Sequence, residues 1–497
     1  MEKGPNERRL LMNLSKKYTT ILIFMIILAT RIPYITNPPY ETGESWRQSD
    51  TEAMARNFVE DRFHILYPQL NYDGAPPNYA QLEFQITTFL IALLYKMFGF
   101  YYVLARVVPV LFFVGSAYFL YLIAKKYYTT EVAWLSVLVY AAFPLNVYFS
   151  RAIMPESAAL FFTIGGLYFF INWIEKETNG LLLLATVMTA LAILVKVPAV
   201  FIGIPMLVLS LVKYRWKVFK VWQLWFFALF SLLVPYAYFK WLESVAEFTF
   251  VTGIGSKHIG PKFAHAIFSE ESWAFFTTHL PQSFTWLGLV LVVIGAYKMS
   301  WKKEFVVGAW LLAFLLEVMT IVAVIKFNYY LVFIGPVFAI LAGRALGELL
   351  KWKVVVIAAL VVITGNSYLV VQPKFVEKDT LLKQAEYVKK YTDKDDLIVV
   401  GTLSPDLINA SERKGWRANI NHHDYIPTGA KEEIAYFIAH GAKYFVPSKG
   451  YIYGDEGSEY RDYLDKHFTK VKVTENPDYS FYKLQKTDAK QVPGTKN

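Results

Sequence analysis

The sequence predicts a polytopic α-helical membrane protein with a small soluble α/β domain at its C-terminal end. Of its 497 residues, 55% are hydrophobic and only 18% are charged, whereas soluble domains carry about 25% charged residues. Apolar runs long enough to cross a bilayer recur up to Lys374, and shorter amphipathic segments follow it. The expected organisation is a transmembrane domain over residues 1–373 and a soluble α/β domain over residues 374–497.

The composition also excludes several classes of protein. An aromatic content of 17% is too apolar for a disordered chain. The sequence contains no cysteine, which excludes disulfides, thiolate metal sites and cysteine nucleophiles. The net charge of +10 arises from Lys and Arg in short loops between apolar runs. This placement is typical of membrane orientation and not of a nucleic-acid-binding face.

Twelve apolar segments are candidate membrane spans. The first, Tyr18 to Thr30, follows four basic residues and precedes no small-residue cleavage site, which indicates an uncleaved helix with a cytoplasmic N-terminus. The others are centred on Leu90, Val114, Tyr140, Gly165, Ala190, Pro205, Phe230, Leu291, Phe314, Ala339 and Leu360.

The basic loops indicate how many of these segments cross the membrane. Four Lys/Arg clusters should be cytoplasmic, yet twelve full crossings would place all four outside. The weakest candidate, Gln81 to Phe98, carries Glu83, Gln85 and Lys96. If it is an interfacial or re-entrant helix, every cluster moves inside. We therefore predict eleven spans in the cell membrane, with loops 31–80 and 242–280 and the C-terminal domain outside.

Local patterns predict the elements of the soluble domain. Helical periodicity and apolar β-branched runs give helices and strands in alternation, which is typical of an α/β domain. The expected elements are helices over Leu382–Tyr391 and Ile434–His440, strands over Leu397–Val400 and Tyr444–Val446, and a closing hairpin over Lys470–Leu484.

Polar residues that are unusual in a membrane protein collect at the predicted outer boundary. A charge at mid-membrane costs about 2.5–3.5 kcal/mol, and charges near the boundary still need partners or a wet cavity. A mixed cluster suits a lipid-borne anion, because bases can hold a phosphate and an acid can deprotonate an attacking hydroxyl. The residues are Glu41, Glu44, Arg47, Asp50, Arg151, Glu156, Lys196, Lys326, Tyr329 and Tyr330.

The first outer loop carries the most informative motif. Trp46 to Phe58 is helix-like and places Arg47, Asp50 and Met54 on one face; an amphipathic surface helix in which Arg47 pairs with Asp50 is an alternative interpretation. This run, WRQSDTEAMARNF, resembles the first-loop motif of prokaryotic membrane glycosyltransferases. These enzymes are related to the dolichyl-phosphate-mannose–protein mannosyltransferases and to the aminoarabinose transferase of lipid A.

Five further segments, of which the first two belong to one motif, resemble motifs of the same superfamily in the same order along the chain. They are APPNY from Ala75 with LYKMFG from Leu94, SRAIMPES from Ser150, LVKVP from Leu194, and KFNYYL from Lys326.

The resemblance implies a GT-C fold and an inverting transfer of a sugar from a polyprenyl-phosphate donor to a lipid, glycan or protein acceptor outside the membrane. A first-loop carboxylate would be the catalytic base. The relatives place an acidic residue where Arg47 and Gln48 stand here, so Asp50, one turn later, is the predicted base and Glu44, one turn earlier, is the second choice.

The remaining site residues follow from the same resemblance. The lipid A relative has a Lys before its Pro-Pro where Ala75 stands here, so the donor phosphate should rely on Arg151, Lys196, Lys326 and Arg47. No metal ligands are assigned, and a divalent metal stays possible. The expected substrate-binding residues are Glu156, Tyr329, Tyr330 and Asn78.

Simpler interpretations stay open for several residues. Lys196 could snorkel from a helix end, Glu317 could clamp two helices together, and the sequence from His422 to Asp424 is more typical of a solvated loop than of a metal site. The alternative function is a transporter of a lipid-linked or anionic substrate, which would predict inverted repeats. A membrane-anchored receptor is a third class. Membrane lipids are the other expected partners, and no binding of nucleic acid is expected.

Overall fold

A computed structural model gives the structure of the protein and describes residues 5–246, 248–421 and 423–484. The chain forms two compact units. The first comprises residues 1–36 and 81–375, and the second comprises residues 37–80 and 376–497.

The first unit is helical, and each of the predicted span centres lies within one of its helices. The longer helices are Pro5–Ala29, Ile86–Phe98, Tyr102–Tyr127, Thr130–Ala142, Pro144–Phe149, Glu156–Lys176, Asn179–Val195, Gly203–Tyr214, Trp222–Glu243, Glu270–Phe284, Trp286–Tyr297, Phe305–Glu317, Gly335–Glu348 and Lys353–Val371. Shorter helical turns are Val197–Ile202, Arg215–Lys220, Val251–Gly253, Ile254–Ile259, Gly260–Lys262, Ala266–Phe268, Val318–Val322, Ala323–Ile325, Asn328–Phe333 and Gln372–Phe375, and two short strands are Ala80–Gln81 and Phe248–Thr249.

Helix length limits which of these elements can cross a bilayer. Among the described residues, six helices are long and apolar enough, or seven if the pair Glu270–Phe284 and Trp286–Tyr297, bent by 91°, counts as one span. The helix Ile86–Phe98 has 13 residues and is therefore about 20 Å long, short of the ~30 Å hydrocarbon core. The total of eleven spans and the re-entrant role of this helix stay predictions.

Small residues allow the helices of the first unit to approach closely, as is common in membrane bundles. A Cβ on Gly343 would lie 2.3 Å from the Ser136 hydroxyl, and a Cβ on Gly295 would lie 2.0 Å from the Leu341 carbonyl oxygen. Helix Gly335–Glu348 is therefore packed against two neighbours at backbone distance.

The second unit is an α/β domain. Its five-stranded sheet has the order Lys414–Arg417, Leu397–Val400, Ala442–Val446, Phe481–Lys483, Thr469–Val471. The first three strands are parallel, and the last two join them as an antiparallel hairpin. Its helices are Ser45–Glu60, Asp379–Tyr391, Asp406–Ala410, Ala430–Ala439, Glu459–His467 and the turn Pro477–Tyr479.

The first outer loop folds as part of this second unit. Its helix, Ser45–Glu60, contacts the short helix Asp406–Ala410, and the Ser45 hydroxyl donates to the Asp406 carboxylate at 2.7 Å. The sequence predicts residues 31–80 as a loop of the transmembrane domain, whereas residues 37–80 belong to the second unit. A contact between residues some 360 positions apart leaves no local pattern in the sequence.

Candidate active site

Lys196 stands at the C-terminal end of helix Asn179–Val195, where its extended backbone ends the helix. Its side chain is only 2% exposed, and Nζ lies 2.9 Å from Oε1 of Glu156 and 3.9 Å from Oε1 of Glu83. The ammonium group also lies 4.6 Å from the ring centres of both Tyr329 and Tyr330, a distance typical of cation–π contacts. The snorkelling interpretation of Lys196 is therefore wrong, because the charge points into the protein.

One more buried carboxylate, that of Glu317, completes what we call the Lys196 cluster: Lys196, Glu83, Glu156, Glu317, Tyr329 and Tyr330. Glu156 begins helix Glu156–Lys176, where the helix dipole favours a negative charge. Glu317 is fully buried, interacts electrostatically with Lys196, and ends an α-helix where a π-helical turn begins. Within the described residues, neither oxygen of Glu317 accepts a hydrogen bond.

The Lys196 cluster concentrates charge inside a helical bundle. Lys196 lies near Glu83 and Glu156 and interacts electrostatically with Glu317, and burying charged groups is costly. The geometry thus brings together Lys196, Glu156, Tyr329 and Tyr330 as the sequence predicts, and it adds Glu83 and Glu317 as binding-site candidates. The signal for Glu317 was an acidic residue inside an apolar run.

The other two predicted phosphate ligands of the first unit have different surroundings. Arg151 is buried, donates to the carbonyl oxygen of Pro33 at 2.5 Å and stacks 3.5 Å from the Phe375 ring centre. These contacts pack the segment around Arg151. Lys326 is half-buried and has a left-handed backbone, with φ of 57°, between the turns Ala323–Ile325 and Asn328–Phe333.

Asp50, the predicted base, lies in the second unit on helix Ser45–Glu60. It is 5% exposed, and both carboxylate oxygens accept hydrogen bonds, from the Tyr72 hydroxyl at 3.0 Å and from the Asn409 amide at 3.1 Å. Burial raises the pKa of Asp50 to about 7, although Arg47 and the two hydrogen bonds act in the opposite direction. The carboxylate is thus held firmly by its own unit.

A second buried acid extends this network. The guanidinium of Arg417 binds both oxygens of Asp73, with Nε 3.0 Å from Oδ1, and it lies over the rings of Tyr72 and Trp46 at 4.4 and 5.1 Å. The ring nitrogen Nε2 of His423 lies 3.0 Å from Asp73 Oδ2. Burial acts to raise the pKa of Asp73, but His423 and Arg417 hold that pKa below its usual value.

The interpretation of residues 422–424 as a solvated loop is therefore wrong for His423, whose side chain is 13% exposed. His422 lies outside the described residues. We call the following residues the Asp50 network: Asp50, Tyr72, Asp73, Asn409, Arg417 and His423. Four of them, Tyr72, Asp73, Asn409 and Arg417, were not predicted as site residues, because single polar residues carry no distinguishing spacing in the sequence.

Glu44 differs from Asp50 in backbone conformation and in exposure. It precedes helix Ser45–Glu60 with φ of 44° and ψ of 33°, and its carboxylate does not cap the helix. A left-handed non-glycine residue costs about 1–3 kcal/mol and is often found at functional sites. Glu44 is half-buried. Asn78, a predicted substrate ligand, is buried and donates to the Tyr72 carbonyl at 2.6 Å, so it fixes the turn that carries Tyr72.

Across the described ranges, no group of three or more His, Asp or Glu side chains is arranged to hold a metal ion.

The helical bundle with its buried ionic cluster and the attached α/β unit define a membrane protein of the GT-C glycosyltransferase fold. The structure is similar to that of ArnT from Cupriavidus metallidurans, with a TM-score of 0.65 and 12% identity over 94% of this chain and 98% of that one. A second ArnT structure, bound to undecaprenyl phosphate, matches with the same score and identity over 93% and 97%. The oligosaccharyltransferase AglB from Archaeoglobus fulgidus, in complex with an inhibitory peptide and a dolichol-phosphate, is also similar. Its TM-score is 0.58 and its identity 11%, over 96% of this chain and 75% of that one.

The sequence itself gives a narrower match. Residues 86–241 match the family described as dolichyl-phosphate-mannose-protein mannosyltransferase. A search of curated proteins gives no significant match. The GT-C resemblance predicted from the motifs is confirmed, and the predicted fold class, a polytopic helical protein with a small C-terminal α/β domain, is confirmed with it.

Proposed function

We propose that the protein transfers a sugar, with inversion, from a polyprenyl-phosphate donor to an acceptor hydroxyl. The observation that carries this proposal is the buried Lys196 cluster in a chain whose fold is shared with a protein solved in complex with undecaprenyl phosphate. The proposal includes the cell membrane as location, a cytoplasmic N-terminus and a reaction on the outer face, where the predicted topology places these residues.

In this proposal Lys196 and Lys326 attract the donor phosphate. A charge-assisted contact to a phosphate contributes about 1.5–3 kcal/mol. Glu156 holds the ammonium of Lys196 in place at 2.9 Å, and the rings of Tyr329 and Tyr330 restrict its direction. Aromatic rings beside the ammonium also offer flat surfaces on which a sugar ring can pack. Arg151 and Arg47 stay candidates for a second contact with the phosphate.

We propose Glu44 as the general base, and Asp50 as the residue that fixes the helix behind it. A base must reach the acceptor hydroxyl within hydrogen-bond distance. The two oxygens of Asp50 are already bound by Tyr72 and Asn409, whereas Glu44 is more exposed and lies at the N-terminal end of the helix. This order reverses the ranking made from the motif alone.

The proposed reaction balances without a further reactant. The acceptor oxygen forms a bond to the anomeric carbon while the bond from that carbon to the phosphate oxygen breaks on the opposite side. The acceptor proton passes to the carboxylate of Glu44, and the electron pair of the broken bond stays with polyprenyl phosphate. Lys196 and Lys326 stabilise that leaving group because its negative charge increases as it departs.

The test is transfer by the purified full-length protein from a panel of radiolabelled polyprenyl-phosphate sugars to membrane extracts, with Lys196→Met as the inactive control. We expect one donor to label a lipid, glycan or protein fraction only with the wild type. If no donor is consumed while the protein moves intact lipid-linked sugar across vesicles, the transporter alternative replaces this proposal.

A further inference from the structure

An apolar groove lies among the helices of the first unit. Helices Gly203–Tyr214 and Trp222–Glu243 follow each other in the chain, and with helix Asn179–Val195 they enclose a cavity of about 310 Å³. This volume is at the lower end of the ~300–1,000 Å³ typical of ligand pockets. It is lined almost entirely by aliphatic and aromatic side chains, among them Ile193, Met206, Leu207, Phe227 and Leu232.

One end of the groove is bordered by a basic and aromatic turn, Arg215–Lys220. Val218 and Phe219 from this turn line the groove, while Trp216 is 86% exposed and Phe219 is 63% exposed. Exposed aromatic rings next to an apolar surface are typical of the membrane–water boundary. The mouth of the groove is therefore expected at the level of the lipid headgroups.

The charges of this turn are available to a ligand. Arg215, Lys217 and Lys220 are all exposed, and within the part of the chain that the structure describes none of them has a carboxylate in ion-pair range, whereas the neighbouring Lys213 pairs with Glu177 at 2.6 Å. Three unpaired cations beside an apolar groove match a molecule with an anionic head and a hydrocarbon chain.

We propose that this groove binds one anionic phospholipid, with an acyl chain between the helices and its phosphate on Arg215, Lys217 and Lys220. Each basic residue near an anionic lipid surface adds to affinity, and three together account for a preference of up to about a hundredfold over a zwitterionic lipid. The proposed lipid contacts use none of the residues assigned to the proposed reaction.

Gly203 offers a direct way to close the groove. It lines the cavity, and a Cβ built on it meets no atom within 4 Å. Gly203→Phe therefore adds a side chain whose Cβ meets no neighbour, and we expect its ring to occupy the groove. Gly180 is the matched control, since a Cβ there also meets open space and it does not line the groove.

The experiment is native mass spectrometry of the delipidated full-length protein titrated with phosphatidylglycerol or phosphatidylcholine. We expect one phosphatidylglycerol to bind at least about tenfold more tightly than phosphatidylcholine. Arg215→Gln/Lys217→Gln/Lys220→Gln should remove this preference, and Gly203→Phe should remove the bound lipid. Lys298→Gln/Lys302→Gln/Lys303→Gln, which removes three exposed charges elsewhere, and Gly180→Phe should bind as the wild type does.

Three results would overturn the proposal: equal affinity for both lipids, wild-type binding by Gly203→Phe, or an equal loss in the control triple variant. Displacement of the phosphatidylglycerol by equimolar undecaprenyl phosphate, together with a raised KM for the sugar donor in Gly203→Phe, would assign the groove to the donor chain instead. If thermal unfolding shows that Gly203→Phe is not folded, the two triple variants still test the proposal through their preference for phosphatidylglycerol.

Discussion

The Lys196 cluster and the Asp50 network are both buried groups of charges, but their polar atoms have different kinds of partners. In the Asp50 network, both oxygens of Asp50 and both oxygens of Asp73 accept hydrogen bonds from named donors. In the Lys196 cluster, ionic and ring contacts dominate, and Glu317 accepts no hydrogen bond from the described residues.

The difference indicates which group can change partners. Buried carboxylates whose oxygens are all hydrogen-bonded are held rigidly, because each lost bond leaves a desolvated polar atom. A cluster with unsatisfied acceptors and one shared cation can rearrange when a phosphate arrives. We therefore assign donor binding to the Lys196 cluster and structural support of the first-loop helix to the Asp50 network.

The largest expected effect separates the two carboxylates of the first loop. Glu44→Gln should lower turnover by about 10²–10⁴-fold, the usual contribution of a general base. Asp50→Asn should lose far less, because an asparagine can accept from Asn409 and donate to the Tyr72 hydroxyl. Single-turnover transfer from saturating donor measures both. The reverse order of losses would make Asp50 the base.

The next effect concerns stability. Arg417→Ala leaves the carboxylate of Asp73 buried without its guanidinium partner, and removing one member of a buried pair costs about 3–5 kcal/mol. Lys394→Ala, which breaks an exposed pair with Glu60 at 2.9 Å, should cost less than about 1 kcal/mol. Thermal unfolding of both variants gives the comparison. Similar losses would mean that the Asp50 network is not a structural support.

The smallest effect is a pH dependence. Because burial raises the pKa of Asp50 from 3.8 to about 7, the folded chain holds a proton in this range that the unfolded chain has released. Its contribution to stability is present below about pH 4 and falls as pH rises toward 7, by at most about 1.4 kcal/mol per pH unit. Asp50→Asn removes this slope, so the melting temperature of the wild type should fall relative to the variant between pH 5 and pH 7. If the melting temperatures of the wild type and of Asp50→Asn change in parallel with pH, titration of Asp50 does not cause the pH dependence.

The local elements were predictable from sequence, because periodicity and apolar runs are local properties. The strand Leu397–Val400 has the predicted bounds, and the helix expected over Trp46–Phe58 extends over Ser45–Glu60. Lys196, Tyr329 and Tyr330 are more than 130 positions apart. The predicted topology placed them at one membrane boundary, and the motif resemblance placed them in one site.

The partners of Asp50 could not be predicted in the same way. Asn409 and Arg417 belong to a short helix and an adjoining strand of the soluble domain, and neither element has a strong local pattern. Their pairing with the first loop is a property of packing. Residues 31–80 are a polar and aromatic stretch between two apolar segments, which is why the sequence predicts them as a loop of the transmembrane domain.

The most direct test of donor binding is the affinity of the protein for undecaprenyl phosphate without a sugar. Lys196→Met/Glu156→Gln removes both members of the 2.9 Å ion pair, so that Glu156 is not left buried without its ammonium partner. Lys213→Met is the control, since it removes an ion-paired lysine outside the cluster. We expect the double variant to fold as the wild type does and to bind undecaprenyl phosphate about 10–150-fold more weakly, with the control unchanged. Wild-type affinity in a folded double variant would contradict the assignment of the phosphate to Lys196.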